Sequence, residues 1–231
     1  MIGNYLKLAV AMLAIAITAP QAIADDAKEN GMTMINRATF KWEGKINHDS
    51  WNKSQKSTVT FSRFPADMDE FRQVRDFLAR EPQGAAALMV MAMELYHRDK
   101  EMGLEAVKMI NTSSNYNSVI SRLRDILGND ESYARPYLPA ALLVGANAKN
   151  AYSPTEPYRV KVRVNPVTQY QESELLDGTV IYLQIDGAGW DTNWRGIEVV
   201  KPDGEEYYLV SNCPALYTQC KKIKGTYQGL K

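Results

Sequence analysis

The hydrophobic positions of this chain change their spacing along its length, and these changes predict its secondary structure. Between about residues 66 and 147, apolar side chains recur every three or four positions, which is typical of α-helices with one buried face. From about residue 156 to residue 212, apolar and polar side chains alternate, which is typical of β-strands. Residues 25–56 are polar and show no sustained period. The pattern therefore predicts an irregular lead-in, then helices, then strands.

Four helices, followed by a shorter fifth, are predicted in the helical region. The first runs from about Asp67, whose carboxylate can cap it, to Arg80. The second starts at Pro82, which a first helical turn tolerates, and is apolar on almost every face from Ala85 to Leu95. Such a helix is expected at the centre of a core. The other three predicted helices are marked by Leu104 to Ile110, Val119 to Leu127 and Pro136 to Ala146.

Strands are predicted on both sides of the helical region, with the larger number after it. In the clearest one, which runs from Tyr158 to Val164, the apolar residues alternate with charged or polar ones. Pro202 and Gly204 predict a hairpin turn, because Pro presets one φ angle and Gly accepts a positive one. Two short strands are expected near residues 39–46 and 57–61. The remaining predicted strands are Thr179 to Ile185, Gly196 to Val200 and Glu206 to Val210.

Helices first and strands afterwards favour the α+β class, in which helices cover one face of an antiparallel sheet. We expect an N-terminal to central cluster of four to five helices packed on a C-terminal antiparallel β-sheet. The helical part should span about residues 66–147 and the strand part about residues 156–212. Both parts are expected to belong to a single domain, residues 57–231, that follows the lead-in.

The first 24 residues have the features of a secretory signal peptide. Lys7 precedes an apolar run, Leu8 to Ala19, that is shorter than the roughly 20 residues needed to span a bilayer. Ala22-Ile23-Ala24 is a small-x-small cleavage signature and is followed by Asp25. No cysteine stands after it to carry a lipid anchor. We therefore expect cleavage after Ala24 and a periplasmic or secreted product without a stable membrane anchor.

Charge is balanced, since the chain has 27 basic and 27 acidic side chains. This balance argues against a nucleic-acid partner, which would need clustered Lys and Arg residues to neutralise phosphates. The densest basic cluster, Lys221, Lys222 and Lys224, is short and is expected to be solvated.

Two cysteines, Cys213 and Cys220, are present. In an oxidising compartment such a pair predicts a disulfide that closes a small loop and contributes about 2 to 3 kcal/mol. A metal site would need more ligands than two cysteines, and redox-active pairs have two intervening residues.

The sequence contains no recognisable catalytic, metal or cofactor motif. His48, Asp49 and Ser50 are the residue types of a catalytic triad, but adjacent residues cannot hold a nucleophile, base and orienter in line. His97 lies at the end of the second predicted helix, where a cation interacts favourably with the helix dipole. We therefore expect no catalytic residue, no metal and no cofactor.

One segment, Asp186 to Arg195, stands out as a Gly-rich loop with two tryptophans between predicted strands. Tryptophan is enriched at interface hot spots, so the loop is a candidate binding loop. Asp191 and Asn193 supply only the start of a calcium-binding pattern. The alternative is that the indoles fold back over the sheet edge. The candidate binding residues are Asp186, Trp190, Asp191, Asn193, Trp194 and Arg195.

Small residues, prolines and tyrosines recur in a particular order between about Thr58 and Val210. The motifs are Gly84-Ala85-Ala86-Ala87-Leu88 with Leu95-Tyr96, Met102-Gly103-Leu104-Glu105-Ala106, Arg135-Pro136-Tyr137-Leu138-Pro139 with Gly145-Ala146, and Tyr152-Ser153-Pro154 with Pro157-Tyr158. In this order the chain resembles an uncharacterised family of bacterial exported proteins. The resemblance implies a bacterial origin and a shared fold, and it assigns no catalytic residue. The loop at residues 187–195 and the Cys213 to Cys220 loop depart from the family's pattern.

Together these features favour an exported, soluble, non-enzymatic binding protein of the bacterial envelope. It would act as an inhibitor, as an immunity-type factor or as an accessory of an assembly, with an envelope or extracellular protein as its partner. One alternative is a hydrolase of glycan or peptidoglycan, which needs two carboxylates about 5 to 10 Å apart. The other is a carbohydrate-binding module in which Trp190 and Trp194 contact the sugar.

Overall fold

A computed structural model describes residues 31–230, so the predicted signal peptide, residues 1–24, lies outside the described residues. The eight strands in this part of the chain are β1 (Met32–Ile35), β2 (Ala38–Glu43), β3 (Lys56–Phe61), β4 (Tyr158–Val164), β5 (Gln171–Ser173), β6 (Gly178–Asp186), β7 (Trp194–Val200) and β8 (Leu209–Asn212). They form one antiparallel sheet in the order β1-β2-β3-β4-β6-β7-β8, and β5 pairs with β6.

Between β3 and β4 the chain forms four α-helices. They are α1 (Met68–Leu78), α2 (Pro82–Arg98), α3 (Lys100–Ile110) and α4 (Ser113–Ile126). Every residue of α2 from Pro82 to Tyr96 is buried, and the helix contacts β3, β4, β6, β7 and β8. It is the central helix of the core, as its apolar faces predict. Within residues 31–230, no helix has both the length and the apolar character to cross a bilayer.

The starts of the first two helices follow from local sequence signals. Asp67 caps α1, because its carboxylate accepts a hydrogen bond from the amide nitrogen of Glu70 (2.8 Å). Pro82 is the first residue of α2, where no intrahelical bond needs its missing amide hydrogen. The predictions for these helices are confirmed, and α3 and α4 also lie where the sequence places them.

β3 and β4 are neighbours at the middle of the sheet, although the whole helical region separates them in sequence. Their register pairs Val59 with Val160 and Phe61 with Tyr158. The sheet therefore takes three strands from before the helices and five from after them. The predicted architecture, an N-terminal to central cluster of four to five helices packed on a C-terminal sheet, is wrong, because the sheet is built from both ends of the described chain.

β1 and β2 lie in residues 25–56, the segment predicted to be mostly irregular. β2 confirms the short strand predicted near residues 39–46. β1 is not predicted, because its four residues show too few periods to stand out in a sequence window. Strand pairing holds them in place: Phe40 pairs with Thr33 on one side and with Phe61 on the other. The ring of Phe40 is fully buried, so this segment contributes to the core.

The predicted fifth helix, Pro136 to Ala146, is also wrong. Within it, only Ala140–Leu142 are helical, as a single 3₁₀ turn. Pro139 has no amide hydrogen to donate, which weakens an α-helix at its centre. The carbonyl oxygen of Ala141 instead accepts a hydrogen bond from the amide nitrogen of Ala188 (3.0 Å), in the loop after β6. A tertiary contact therefore uses a backbone group that a longer helix would need.

The two faces of the sheet differ in polarity because neighbouring residues of a strand point to opposite sides. In β4, the tyrosine and the three valines are buried, whereas Arg159 and Lys161 are exposed. β3 repeats this alternation, with Lys56 exposed and Thr58 partly exposed. One face of the sheet packs against α2. The other, which we call the open face, carries polar side chains.

Candidate functional site

The structure divides the predicted binding loop between two environments. Asp186 ends β6 and Trp194 begins β7, and these two residues pair across the strands. The connection between them is closed by a hydrogen bond from the amide nitrogen of Gly187 to the carbonyl oxygen of Asn193 (2.8 Å). Asp186 and Trp194 therefore belong to the sheet, whereas the residues between them form a separate turn.

Trp190, in this turn, is half-buried against the C-terminal segment. Its Nε1 donates a hydrogen bond to the carbonyl oxygen of Thr218 (3.3 Å), and the guanidinium of Arg195 lies 4.8 Å from its ring centre. Arg195 is itself held by the carbonyl oxygen of Ala215 (3.0 Å) and the hydroxyl of Thr218 (2.8 Å). A Cβ at Gly187 would lie 2.8 Å from the indole, so the glycine permits this packing. Trp190 and Arg195 therefore hold the turn in place.

Asp191 is exposed and forms an ion pair with Lys221 (2.6 Å). The hydrogen bond and the charge of Lys221 lower the pKa of this carboxyl. No group of three or more His, Cys, Asp or Glu residues that could hold a metal ion occurs in the part of the chain that the structure describes. The turn is thus joined to the C-terminal segment by a tryptophan, an arginine and an ion pair.

Asp186 and Trp194 line a cleft of about 500 Å³ on the open face of the sheet. The side chains that line it come from β2, β3, β4, β6 and β7. They are Glu43, Lys56, Thr58, Lys161, Asp186 and Trp194. The cleft therefore combines an indole ring with positively charged donors, negatively charged acceptors and one hydroxyl group.

Strand register explains why residues so distant in sequence meet in this cleft. Glu43 pairs with Thr58, and Thr58 pairs with Lys161. The pairing of β4 with β6 places Lys161 level with Asp186, which itself pairs with Trp194. Paired residues of a sheet direct their side chains to the same face. One row of five side chains therefore crosses the sheet from β2 to β7.

The backbone at the β2 end of the cleft is fixed by Gly44 and Ser57. Gly44 has a φ of +80°, and a Cβ there would lie 2.4 Å from the carbonyl oxygen of Lys56, so other residues would not fit. The hydroxyl of Ser57 lies 3.0 Å from the carbonyl oxygens of both Glu43 and Gly44 and donates to them. These contacts hold the end of β2 against the start of β3.

Trp194 is held by Arg163, whose guanidinium lies 3.9 Å from the indole ring centre. The Nε of Arg163 donates a hydrogen bond to Gln184 (2.9 Å). Burial lowers the pKa of Arg163, and the charge of Asp186 opposes this shift. By contrast, the side chains of Lys56 and Lys161 form no ion pair or hydrogen bond with any other residue of the range 31–230. These two ammonium groups are available to a ligand.

The two carboxylates of the cleft are not placed as a hydrolase needs them. Glu43 on β2 and Asp186 on β6 are three strand spacings apart, which is roughly 14 Å at about 4.8 Å per spacing. Paired carboxylates of glycosidases are about 5 to 10 Å apart. In addition, the hydrogen bond and charge of Lys41 lower the pKa of Glu43, whereas a general acid needs a raised pKa. The cleft therefore lacks the carboxylate pair of a glycosidase.

Sequence reasoning identified Asp186 and Trp194 but missed the other residues of the cleft. The alternation of charged residues in β4 predicted the strand, yet it could not show which neighbours Lys161 would have. Glu43 and Thr58 lie in the two short strands predicted near residues 39–46 and 57–61, but the sequence does not show that β2 pairs with β3 and β3 with β4. Strand register is the missing information.

Cys213 and Cys220 are both buried and are free thiols in the structure, so the predicted disulfide is absent from it. A 3₁₀ turn, Pro214–Tyr217, separates them. Cys213 packs against the amide of Asn115 (3.8 Å), and a Cβ at Gly189 would lie 2.6 Å from Cys220. Burial raises the pKa of each thiol to about 12, so neither is a reactive thiolate at neutral pH.

Comparison with known proteins places the chain in a family. A family model described as "Domain of unknown function (DUF6935)" matches residues 63–224. No curated protein and no solved structure matches the chain. The matched region includes the four helices and β4 to β8, and with them Lys161, Asp186 and Trp194 of the cleft. Since the match covers well over half of the chain, this protein belongs to the DUF6935 family, which agrees with its resemblance to an uncharacterised family.

Proposed function

We propose that this protein acts by binding, without catalysis, and that the cleft on the open face binds a glycan. The observation that carries the proposal is the cross-strand row that places Trp194 beside donors and acceptors of hydrogen bonds. A volume of about 500 Å³ lies within the range of about 300 to 1,000 Å³ that is usual for small-molecule sites.

The chemistry of the lining side chains supports a ligand rich in hydroxyl groups. A sugar hydroxyl both donates and accepts hydrogen bonds. Glu43 and Asp186 offer acceptors, Lys56 and Lys161 offer donors, and Thr58 offers both. A ligand of one charge would leave part of this set unpaired, whereas a neutral polyhydroxyl ligand can satisfy all of it.

The backbone and the indole of the site are also held in place before any ligand arrives. Trp194 is fixed by Arg163, and the polar side chains stand on strands at the centre of the sheet. Binding therefore costs little ordering of the backbone and of Trp194, which favours affinity, and only the side chains of Lys56 and Lys161 remain to be ordered. An indole next to these polar groups supplies an apolar surface for the C–H groups of a sugar ring.

The glycan is preferred over the protein partner expected from the sequence. That expectation relied on both tryptophans of the loop, and Trp190 is committed to Arg195 and Thr218. Export, predicted by residues 1–24, remains part of the proposal, and the glycan would then be one of the cell envelope or its surroundings. A carboxylate-based hydrolase is not favoured, because Glu43 and Asp186 are too far apart.

The test is a titration of the purified protein with neutral oligosaccharides and soluble peptidoglycan fragments, followed by tryptophan fluorescence. We expect saturable binding by at least one of them and a loss of affinity of tenfold or more in Trp194→Ala. Asp186→Asn should weaken binding several-fold. Trp190→Phe is the matched control, since it removes the other indole of the same loop and should leave affinity unchanged.

Two results would contradict the proposal. One is unchanged affinity in Trp194→Ala. The other is release of new reducing ends from the oligosaccharide during the titration, which would show that the protein is a hydrolase.

A further inference from the structure

A second cavity, which we call the basic groove, has a volume of about 870 Å³ and shares no lining residue with the cleft. It lies between the end of α2, the start of α3, the segment after α4 and the C-terminal residues 222–229. The residues that define its chemistry are Lys100, Glu131, Arg135, Tyr137, Lys222 and Tyr227.

Arg135 is the unusual member of the basic groove, because it is only 5% exposed. Its Nε donates a hydrogen bond to the carbonyl oxygen of Cys220 (3.1 Å). Its Nη1 donates to the carbonyl oxygens of Tyr133 (3.1 Å) and Ala134 (2.7 Å). Within residues 31–230, Nη2 has no hydrogen-bond partner and no carboxylate forms an ion pair with the guanidinium. Buried charges in proteins are almost always paired, so this one lacks its counter-charge.

The other charged groups of the groove add to this excess. Neither Lys100 nor Lys222 forms an ion pair with another residue of the described chain. Glu131 is the one acidic residue among the described residues that line the groove. Burial, followed by the charge of Arg98, lowers the pKa of His97, so this imidazole is neutral at physiological pH and does not act as the helix-end cation expected from the sequence. The groove therefore carries a net positive charge.

An apolar wall stands beside these cations. The rings of Tyr137 and Tyr227 meet edge to face, with their centres 6.0 Å apart, and Tyr137 also stacks on Tyr152 (5.1 Å). Leu127 and Ile223 line the same cavity. A large pocket with an apolar wall and a few convergent polar groups is the usual form of a site for a small organic molecule.

We propose that the basic groove binds an organic anion, in which a carboxylate or phosphate head is attached to an apolar or aromatic body. The head would accept a hydrogen bond from Nη2 of Arg135 and lie near the ammonium groups of Lys100 and Lys222. The body would contact the rings of Tyr137 and Tyr227. The ligand thus supplies the counter-charge that the described chain does not.

The test uses isothermal titration calorimetry of the full protein with four probes: benzoate, phenyl phosphate, benzamide and acetate. Benzoate, phenyl phosphate or both should bind, and the stronger of the two identifies the head group. Benzamide, which has the same shape as benzoate but no charge, should bind at least tenfold more weakly. Acetate, which has the charge but no apolar body, should also bind at least tenfold more weakly.

Variants separate the groove from general electrostatic attraction. Lys222→Gln should weaken binding of the aromatic anion three- to tenfold. Lys224→Gln is the matched control. It removes the same charge only two residues from Lys222, but the side chain of Lys224 does not line the groove. Arg135→Gln should abolish binding, and circular dichroism shows whether this variant is folded. Lys222→Gln tests the proposal even if Arg135→Gln does not fold.

Three results would overturn the proposal. The first is equal affinity for benzoate and benzamide, and the second is equal weakening of binding by Lys222→Gln and Lys224→Gln. The third is no binding of either aromatic anion at about 5 mM, roughly the weakest end of useful ligand affinities. None of them bears on the glycan proposal, since the two cavities share no residue.

Discussion

The cleft and the basic groove hold their charges in opposite ways. In the cleft, negatively charged carboxylates and positively charged ammonium groups lie side by side on the open face, where water can solvate each of them. In the groove, cations are in excess, and the guanidinium of Arg135 is buried. Water and salt weaken the first kind of interaction far more than the second. The cleft is therefore suited to recognition through hydrogen bonds, and the groove to attraction of a charge.

The two sites also differ in what holds their side chains. Backbone pairing between strands sets the cleft, so each polar side chain is placed by its position in the register. In the groove, Arg135 connects two segments that are remote in sequence, since it donates hydrogen bonds to Tyr133 and Ala134 on one side and to Cys220 on the other. Removal of the charge of Arg135 should therefore disturb the fold, whereas removal of a charge in the cleft should leave the fold intact.

The largest expected effect is on stability. Arg135→Met leaves the carbonyl oxygens of Ala134 and Cys220 without their side-chain donor, whereas that of Tyr133 keeps the amide of Gln219. Each buried unpaired acceptor costs about 1 to 3 kcal/mol, and the loss of a packed side chain adds to this. We expect the free energy of unfolding, measured by urea denaturation, to fall by about 3 to 5 kcal/mol. Lys161→Met, which removes an exposed cation of the cleft, should change it by less than about 0.5 kcal/mol. Similar losses in the two variants would remove the contrast between the sites.

A smaller effect should appear as pH dependence. Burial raises the pKa of Glu94 from 4.5 to about 7. Arg98, whose Nε lies 2.8 Å from the carboxylate, opposes this shift. The charge of Glu94 also acts on Tyr227, which lines the groove. Between pH 4.5 and 7 the folded protein therefore keeps a proton that the unfolded chain has lost. The free energy of unfolding should fall as pH rises through this window, by about 3 kcal/mol at most. In the cleft, Lys41 shifts the pKa of Glu43 in the opposite direction.

Urea denaturation measures this dependence at pH values of about 4.5, 5.5, 6.5 and 7.5, which span the pKa of Glu94 in the unfolded and the folded protein. Glu94→Gln should flatten it, because the amide does not titrate. Glu43→Gln is the control and should leave the slope over this window unchanged. An equally steep fall in Glu94→Gln would assign the dependence to another group.

The backbone of the cleft can be loosened with a milder change. Ser57→Ala removes the hydroxyl that donates to the carbonyl oxygens of Glu43 and Gly44, which should cost about 1 kcal/mol of unfolding free energy. Glycan affinity should fall about two- to threefold, because the end of β2 is less fixed. Ser50→Ala, at an exposed serine, should change neither quantity. A stable Ser57→Ala protein with unchanged glycan affinity would show that the cleft does not depend on this bond.

The smallest expected effect is that of salt on ligand affinity. Raising NaCl from about 0.05 to 0.5 M shortens the Debye length from roughly 14 to 4 Å. Binding of the aromatic anion to the basic groove should weaken about threefold, because this ligand is itself charged and salt screens its attraction to the groove. Binding of a glycan to the cleft should weaken by less than about 1.5-fold, because the glycan carries no charge. Calorimetry at both salt concentrations measures each. An equal response at the two sites would mean that charge plays the same role in both.

The elements with a strong local signal could be predicted from the sequence. α2 follows from Pro82 and an apolar run without a polar face, and β4 from strict alternation up to Val164. The elements that depend on partners could not. β1 has only four residues and is placed by its pairing with β2. The expected fifth helix does not form, and the carbonyl of Ala141 instead accepts a hydrogen bond from the amide of Ala188.

The residues of the two sites also differ in whether the sequence alone could identify them. Asp186 and Trp194 could be picked from a loop of unusual composition, whereas Glu43 and Lys56 join them only through strand register. For the basic groove, Lys222 belongs to a cluster that composition alone marks as solvated. The burial of Arg135 without a carboxylate is a property of the folded chain, and no pattern of residue types predicts it.

The position of β3 beside β4 also decides where this chain can be cut. The family match begins at residue 63, just after β3 ends at Phe61. A fragment of residues 63–224 would lose three strands, and β4 would become a long edge strand with a row of unpaired backbone groups beside its valines. Such an edge is a template for aggregation. The matched region is therefore too short to serve as an expression boundary, and a fragment that keeps both the fold and the cleft must begin upstream of β1.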